Sequence, residues 1–109
     1  MDNYFKACIE ACVKCIEACN HCASSCLKEK DVAMMSKCIQ LDMECAALCT
    51  AAVQMMSLGS EWAGEVCGLC AEVCRSCALE CGKHDNEHCQ RCYDACYHCA
   101  EQCTMIGVA

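Results

Sequence analysis

The chain has 109 residues, a formal charge of −7, no proline and 19 cysteines. A chain of this length is predicted to form one domain, residues 1–109. The acidic charge and the eight scattered Lys and Arg residues argue against nucleic-acid binding. No apolar stretch approaches the roughly 18 residues that a membrane span requires.

Cysteine has to supply much of any core that this chain forms. Leu, Ile, Val and Phe together number only 17, which with this net charge would be typical of a disordered chain. Buried free thiols, however, pack as small hydrophobic groups. The N-terminus "MDNYFKAC" lacks the features of a secretory signal, so we expect a cytoplasmic protein, whose thiols stay reduced.

The first predicted helix covers residues 2–28, with Asp2 as its N-cap. Its stretch "CIEACVKCIEACNHCASSC" separates successive cysteines by four and three residues in turn. This alternation places the thiols along one face of a helix, as in the core seam of a coiled coil, whereas a strand would distribute them over both faces. The charged segment "KEKD" then forms a short connection.

The second helix is predicted over residues 31–57, from an N-cap at Asp31 to a left-handed Gly59 in "SLGS". Its cysteines are sparser. Continuing their spacing backwards places Asp42 on the cysteine face, although a slight drift of the helix would turn Leu41 inward instead. A buried carboxylate is costly unless it is paired with a cation, which makes Asp42 a candidate metal ligand.

Two further helices, residues 60–81 and 85–105, repeat the dense pattern of the first. Ser60 and Asp85 are their predicted N-caps, and Gly82 is expected to end the third helix in a left-handed conformation. Four such helices with short connections predict an all-α fold, an antiparallel up-down-up-down four-helix bundle with a cysteine-lined core. The candidate metal-binding thiols are Cys8, Cys12, Cys15, Cys19, Cys22, Cys26, Cys38, Cys45, Cys49, Cys67, Cys70, Cys74, Cys77, Cys81, Cys89, Cys92, Cys96, Cys99 and Cys103.

The two ends of such a bundle differ in character. One end combines cysteines with thioether and imidazole groups and is a candidate entrance for a metal ion; its candidate ligands are Met34, Met35, His84 and His88. The opposite end is predicted to be an apolar plug made of Phe5, Met56, Trp62, Met105 and Ile106. His21 and His98 lie one step off the cysteine seam, so they are predicted to be surface or interhelical residues.

Columns of thiolate sulfur favour soft metals: Cu(I), Zn(II) or the iron of iron–sulfur clusters. Zinc sites are closed tetrahedra, and an even ladder of thiols is not divided into groups of four. The stretch "CGLCAEVCRSC" partly resembles a ferredoxin motif, but ferredoxin motifs wrap their cluster in a loop and continue to Pro, whereas this stretch is predicted to be helical. Cu(I) accepts two or three sulfurs, which favours multiple Cu(I) ions per chain and leaves zinc or iron–sulfur binding as alternatives.

Thiol–disulfide chemistry is a further alternative that the pattern does not favour. Facing helices lie about 8–10 Å apart, whereas bridged cysteines usually have Cα atoms about 4.4–6.8 Å apart. An oxidoreductase needs one exposed, acidified cysteine pair, usually beside a βα unit, and no strand is predicted here. The pattern therefore predicts a binding protein and not an enzyme.

The sequence resembles the bacterial copper storage proteins, specifically the cytosolic branch that lacks an export signal. The resemblance extends over essentially the whole chain and rests on the cysteine pattern, the "CIEAC" opening, "ECGKHDNEHCQRC" and the closing "CAEQC". It implies that the luminal thiols store many Cu(I) ions, that the protein is a homotetramer, and that His and Met furnish the open end. The apolar residues beside the seams, such as Ile9, Val13 and Leu69, would suit subunit association as well as helix packing. No copper donor or acceptor is identified by these features.

Overall fold

The computed structural model describes residues 4–107, and this part of the chain contains helices and no strand. The four α-helices are α1 (Lys6–Cys26), α2 (Ser36–Ser57), α3 (Ala63–Cys81) and α4 (Glu87–Gly107), and a 3-10 helix, Val32–Met35, precedes α2. Each α-helix packs against its neighbours in the chain, and α4 also packs against α1. The predicted all-α four-helix bundle is therefore confirmed.

Cross-helix sulfur pairs fix the direction of the helices. Cys8, near the start of α1, lies opposite Cys103 near the end of α4, and Cys22 lies opposite Cys89 at the other end of the same pair. The same reversal relates α2 to α3. The bundle is elongated along these antiparallel helices and measures 45 × 18 × 17 Å.

The first two helices are shorter than the sequence predicted. α1 begins at Lys6 and ends at Cys26, and Asp2 lies outside the described residues. Residues 32–35 form the 3-10 helix, so α2 begins at Ser36. Asp31 precedes that 3-10 helix without a side-chain capping bond, and its carbonyl oxygen instead accepts a hydrogen bond from the Met34 amide at 2.9 Å.

The connections before α3 and α4 follow the prediction in part. Gly59 has a φ of 65°, which confirms its left-handed conformation. α3 begins at Ala63, so Ser60 is not its N-cap as predicted; Ser60 Oγ instead accepts a hydrogen bond from the Trp62 amide at 3.0 Å in the preceding turn. Gly82, the residue that follows α3, has a φ of −65° and thus a right-handed backbone conformation, so the prediction of a left-handed residue there is wrong. α4 begins at Glu87 and extends to residue 107, which places Asn86, and not Asp85, directly before it.

Thiols and small side chains make up the core. Every one of the 19 cysteines is buried, with an exposed fraction of 1% or less. Alanines fill the seams between helices and keep the bundle narrow, because a methyl group lets two backbones approach closely: Ala11, Ala18, Ala46, Ala52, Ala63, Ala71, Ala78 and Ala100. Several larger apolar residues pack on the outside of this core while partly exposed, among them Ile9, Ile16, Ile39, Leu48, Val66 and Val73.

The apolar plug at the end opposite the candidate entrance is only partly as predicted. Met56 and Ile106 are buried and Phe5 packs against the core. Trp62 and Met105, in contrast, are 59% and 55% exposed. Ile106 continues the three-residue step from Cys103, so it faces inward, whereas the position of Met105 turns it away from the seam.

Within residues 4–107, no helix combines the length and the apolar character that crossing a bilayer requires.

Candidate metal centre

The cysteine sulfurs occupy the space enclosed by the four helices, here called the lumen. Within one helix, the Sγ atoms of Cys15 and Cys19 are 3.8 Å apart. Across helices the distances are similar or shorter, down to 3.2 Å between Cys45 and Cys74. All 19 cysteines are free thiols. Each sulfur therefore has others close enough to share a metal ion with it.

The luminal sulfurs gather in groups of four whose Sγ atoms all lie within 4.8 Å of one another. A tetrahedral zinc–sulfur site has edges of about 3.8 Å, from its Zn–S bonds of about 2.3 Å. A single group thus has the dimensions of a zinc site, which the even spacing in the sequence did not suggest. The groups include Cys12, Cys49, Cys70 and Cys99; Cys15, Cys49, Cys74 and Cys99; and Cys15, Cys19, Cys45 and Cys96.

Successive groups overlap. Cys49 and Cys99 belong to the first two groups, and Cys15 connects the second to the third. Because of this overlap, the groups cannot each hold an ion with four sulfurs of its own. It suits a soft ion that takes fewer sulfurs and lets one thiolate bridge two ions.

Asp42 lies inside the lumen and is fully buried, whereas Leu41 is partly exposed and packs on the outside of the core. Its Oδ1 accepts hydrogen bonds from the thiols of Cys77 at 3.2 Å and Cys92 at 3.3 Å. Burial, which disfavours the charged carboxylate, raises the pKa of the Asp42 carboxyl to about 10. The group is therefore protonated at neutral pH in the metal-free protein, and a bound cation would favour its ionised form.

One end of the lumen, here called the mouth, lies where α1 ends and α4 begins and is formed by Cys22, Cys26, Cys89 and His88. The Nδ1 atom of His88 is 3.5 Å from the Sγ atoms of both Cys22 and Cys89, and 3.9 Å from that of Cys26. On the other side of the ring, Nε2 donates to Glu29 Oε2 at 2.8 Å. The His88 side chain is 12% exposed, so it lies between solvent and the first thiols.

The other predicted entrance residues line a pocket beside the mouth. A surface pocket of about 590 Å³ includes Met34, Met35 and His84 in its lining. Met35 is buried and Met34 is 73% exposed. His84 Nε2 lies 3.0 Å from Glu80 Oε2, and no cysteine within residues 4–107 makes a hydrogen bond to its ring.

The thiols at the mouth are protonated in the metal-free protein. Burial raises the pKa of Cys26 and Cys89, the latter to about 12. A soft cation must therefore displace protons when it binds here.

Two histidines lie away from the lumen, as the sequence predicted, since His21 and His98 are both exposed. Two acidic residues at the mouth, Glu29 and Glu80, were not singled out from the sequence. Glu29 belongs to the charged "KEKD" segment, whose composition does not distinguish it from its neighbours. Glu80 occupies an apparent surface position on α3 but is 7% exposed and contacts both His84 and Lys83.

The Csp (copper storage protein) family model matches residues 1–107 of the chain. The chain belongs to the copper storage protein family. A curated relative supports this assignment: the cysteine-rich protein YhjQ of Bacillus subtilis is 52% identical over 103 residues, which are 94% of this chain and 95% of that protein.

Solved structures of copper storage proteins share the same architecture. The Cu(I)-bound copper storage protein BsCsp3 has a TM-score of 0.93 and 50% identity, over 96% of this chain and 99% of that one. A cytosolic copper storage protein from Streptomyces lividans, with five coppers, has a TM-score of 0.92 and 38% identity, over 97% of this chain and 93% of that one. The confirmed family assignment and this close structural likeness identify the thiol-lined lumen of this copper storage protein as its candidate metal centre.

Proposed function

We propose that this protein stores Cu(I) in its lumen, where thiolates hold many ions per chain. The observation that carries the proposal is the overlap of the sulfur groups: Cys15, Cys49 and Cys99 each belong to two groups of four. A thiolate that binds two ions can belong to two groups at once. Cu(I) is a soft ion that binds two or three sulfurs and allows this bridging. If every sulfur bridges two ions and every ion takes two sulfurs, capacity approaches roughly one Cu(I) per cysteine.

The proposed ligands are all the cysteines of the lumen, with Asp42 among the thiols and His88 at the mouth. Asp42 is a proposed ligand because its oxygens already accept bonds from the thiols that would surround an ion. His88 is proposed because one ring nitrogen lies close to three sulfurs. Met35 and His84 are proposed as weaker ligands on the path inward, since both line the pocket outside the mouth.

The proposed activity is binding without turnover, in the cytoplasm. The Streptomyces lividans relative is described as cytosolic and holds five coppers, which supports both the location and a store of several ions. We further propose a homotetramer. Partly exposed apolar side chains such as Val13 and Leu69, at 52% and 53%, give the outside of the bundle a surface for subunit contact, and light scattering should report four times the 11.9 kDa of one chain.

An anaerobic titration of the reduced, metal-free protein with Cu(I), against a competing chromophoric chelator, tests the storage function. We expect uptake well beyond one ion per four cysteines before the chelator acquires its copper colour, and a colourless loaded protein. The same titration after the protein is denatured and its thiols alkylated is the control and should show no tight uptake. A plateau near four or five ions would instead indicate separate tetrathiolate sites and make zinc the metal to test, and a brown product after exposure to iron and sulfide would indicate clusters.

A further inference from the structure

The connection between α1 and the 3-10 helix carries a carboxylate that reaches into the mouth. Glu29 lies three residues after the end of α1, and its backbone amide donates to the Cys26 carbonyl oxygen at 3.2 Å. Its side chain is 35% exposed, whereas its neighbours Lys28, Lys30 and Asp31 lie on the surface. The contact that sets Glu29 apart is the one from its Oε2 to His88 Nε2, at 2.8 Å.

This contact determines which nitrogen of His88 is free to bind a metal ion. A carboxylate oxygen only accepts hydrogen bonds, so the partner nitrogen, Nε2, has to carry the hydrogen. In a neutral imidazole the other nitrogen then has an available lone pair. That nitrogen is Nδ1, which faces Cys22 and Cys89 at 3.5 Å.

We infer that Glu29 is a positioning residue for metal loading, which holds His88 in the Nε2–H tautomer and directs Nδ1 at the mouth thiols. The inference rests on the proposed function, because it assumes that Cu(I) passes the mouth. Carboxylate–histidine–metal arrangements are a general device: the carboxylate fixes the tautomer and the ring orientation and makes the free nitrogen more basic. Here the arrangement is assembled from two segments that are far apart in the chain, since Glu29 and His88 are separated by 59 residues.

The second histidine–carboxylate pair at this end of the bundle differs in its lack of a hydrogen bond to a thiol in the described part of the chain. His84 also contacts a carboxylate, that of Glu80 at 3.0 Å. Its ring, however, makes no hydrogen bond to a cysteine in the described part of the chain, and Glu80 also contacts Lys83 Nζ at 3.4 Å. Of these two pairs in the described part of the chain, the Glu29–His88 pair is the one that connects a carboxylate to thiols through an imidazole ring.

The variant Glu29→Gln tests the inference because it keeps the shape of the side chain and replaces an obligate acceptor by an amide. The amide can accept from Nε2–H but can also donate to a bare Nε2, so the tautomer is no longer fixed. The matched control is Glu87→Gln, which removes the same charge from an exposed residue at the start of α4.

The first measurement is the ¹⁵N chemical shifts of the His88 ring in the reduced, metal-free full-length protein. We expect the Nε2–H tautomer in the wild type and in Glu87→Gln, and a mixture of tautomers in Glu29→Gln. If Glu29→Gln retains the Nε2–H tautomer, Glu29 does not select it and the inference is wrong. This comparison does not depend on copper uptake, so it separates the inference from the proposed storage function.

The second measurement adds Cu(I) from a chromophoric chelator complex and follows both uptake and the ring shifts. We expect the Nδ1 shift of the wild type to change on loading while Nε2 keeps its hydrogen. The retention of copper at the His88 site should weaken by about 10- to 100-fold in Glu29→Gln with the total capacity unchanged. An Nδ1 shift that stays constant while copper fills the lumen would overturn the inference and leave storage intact, whereas a protein that takes up no copper would overturn the storage function.

Discussion

At the scale of single residues, Asp42 is an acidic residue at a position where the cysteine spacing predicts a buried side chain. The pattern placed it on the cysteine face with Leu41 as the alternative, and the structure buries Asp42 completely. Spacing alone could therefore locate the residue. It could not reveal the protonation state, which depends first on how completely the folded protein buries the carboxyl group.

The protonation of Asp42 predicts an unusual pH dependence of stability in the metal-free protein. The pKa of this carboxyl is raised from 3.8 to about 10 on folding, so between these values the folded state binds a proton that the unfolded state has lost. Stability should therefore decrease as pH rises, by about 1.4 kcal/mol per pH unit. Urea unfolding of the reduced protein with a chelator at pH 5, 6 and 7 measures this slope.

The variant Asp42→Asn has no proton to exchange at this position and should lose most of the slope, whatever its absolute stability. Asp94→Asn, at an exposed position on α4, is the matched control and should retain the wild-type slope. A wild-type free energy of unfolding that is constant from pH 5 to 7 would mean that Asp42 is ionised in the folded protein, contrary to the prediction.

At the scale of helices, the type and order of the elements could be predicted, and their ends could not. The cysteine spacing determines which residues face inward, because the buried face of a helix repeats every three or four positions. Helix ends depend on a few local hydrogen bonds instead. Residues 32–35 form a 3-10 helix in place of the first turn of α2, and Gly82 keeps a right-handed conformation even though glycine is the usual left-handed terminator.

The contact between α3 and the end of α4 gives a prediction at this scale. A Cβ atom at Gly107 would lie 2.9 Å from the Gly68 Cα atom, whereas a Cβ atom at Gly68 would meet nothing within 4 Å. Gly107→Ala should thus force the two backbones apart and lower the free energy of unfolding by about 1–2 kcal/mol. Gly68→Ala should raise it by about 0.5–1 kcal/mol, because alanine loses less backbone entropy in a helix.

Chemical denaturation of the two metal-free glycine variants beside the wild type measures both effects in one experiment. The two substitutions make the same chemical change on opposite sides of one contact, so each is the control for the other. Equal effects of both variants would mean that α3 and α4 do not approach through the Gly68 backbone, and the close packing at this end would have to be revised.

At the scale of the whole molecule, the lumen could be predicted from the sequence and the mouth only in part. The last cysteine of one helix and the first cysteine of the next are 12, 18 and 8 positions apart along the chain, yet the common spacing within each helix is enough to place all of them inside one bundle. His88 could be proposed because imidazole next to thiols is a recognisable donor set. Glu29 could not, since its role depends on a single contact across 59 residues and nothing in "KEKD" distinguishes it.

A core of thiols and alanines also predicts how stability depends on metal. Such side chains bury less apolar surface than Leu or Ile, so the metal-free bundle should be only marginally stable. Ions that bind the folded state and join sulfurs from different helices stabilise it by mass action, each by about 4 kcal/mol when free Cu(I) is a thousand times its Kd. We therefore expect the Tm to rise continuously as Cu(I) is added, well beyond five equivalents per chain.

Thermal unfolding under anaerobic conditions, at steps of two equivalents of Cu(I), measures this dependence, and the same series with Zn(II) is its control. If each Zn(II) takes four sulfurs of its own, the 19 cysteines can hold no more than four ions in separate groups, so its effect on the Tm should level off after about four ions. Cu(I) should continue to raise the Tm as bridging thiolates recruit the remaining sulfurs. If the Cu(I) series levelled off at the same point as the Zn(II) series, the thiolates would not be bridging, and the capacity of the lumen would be set by its separate groups of four.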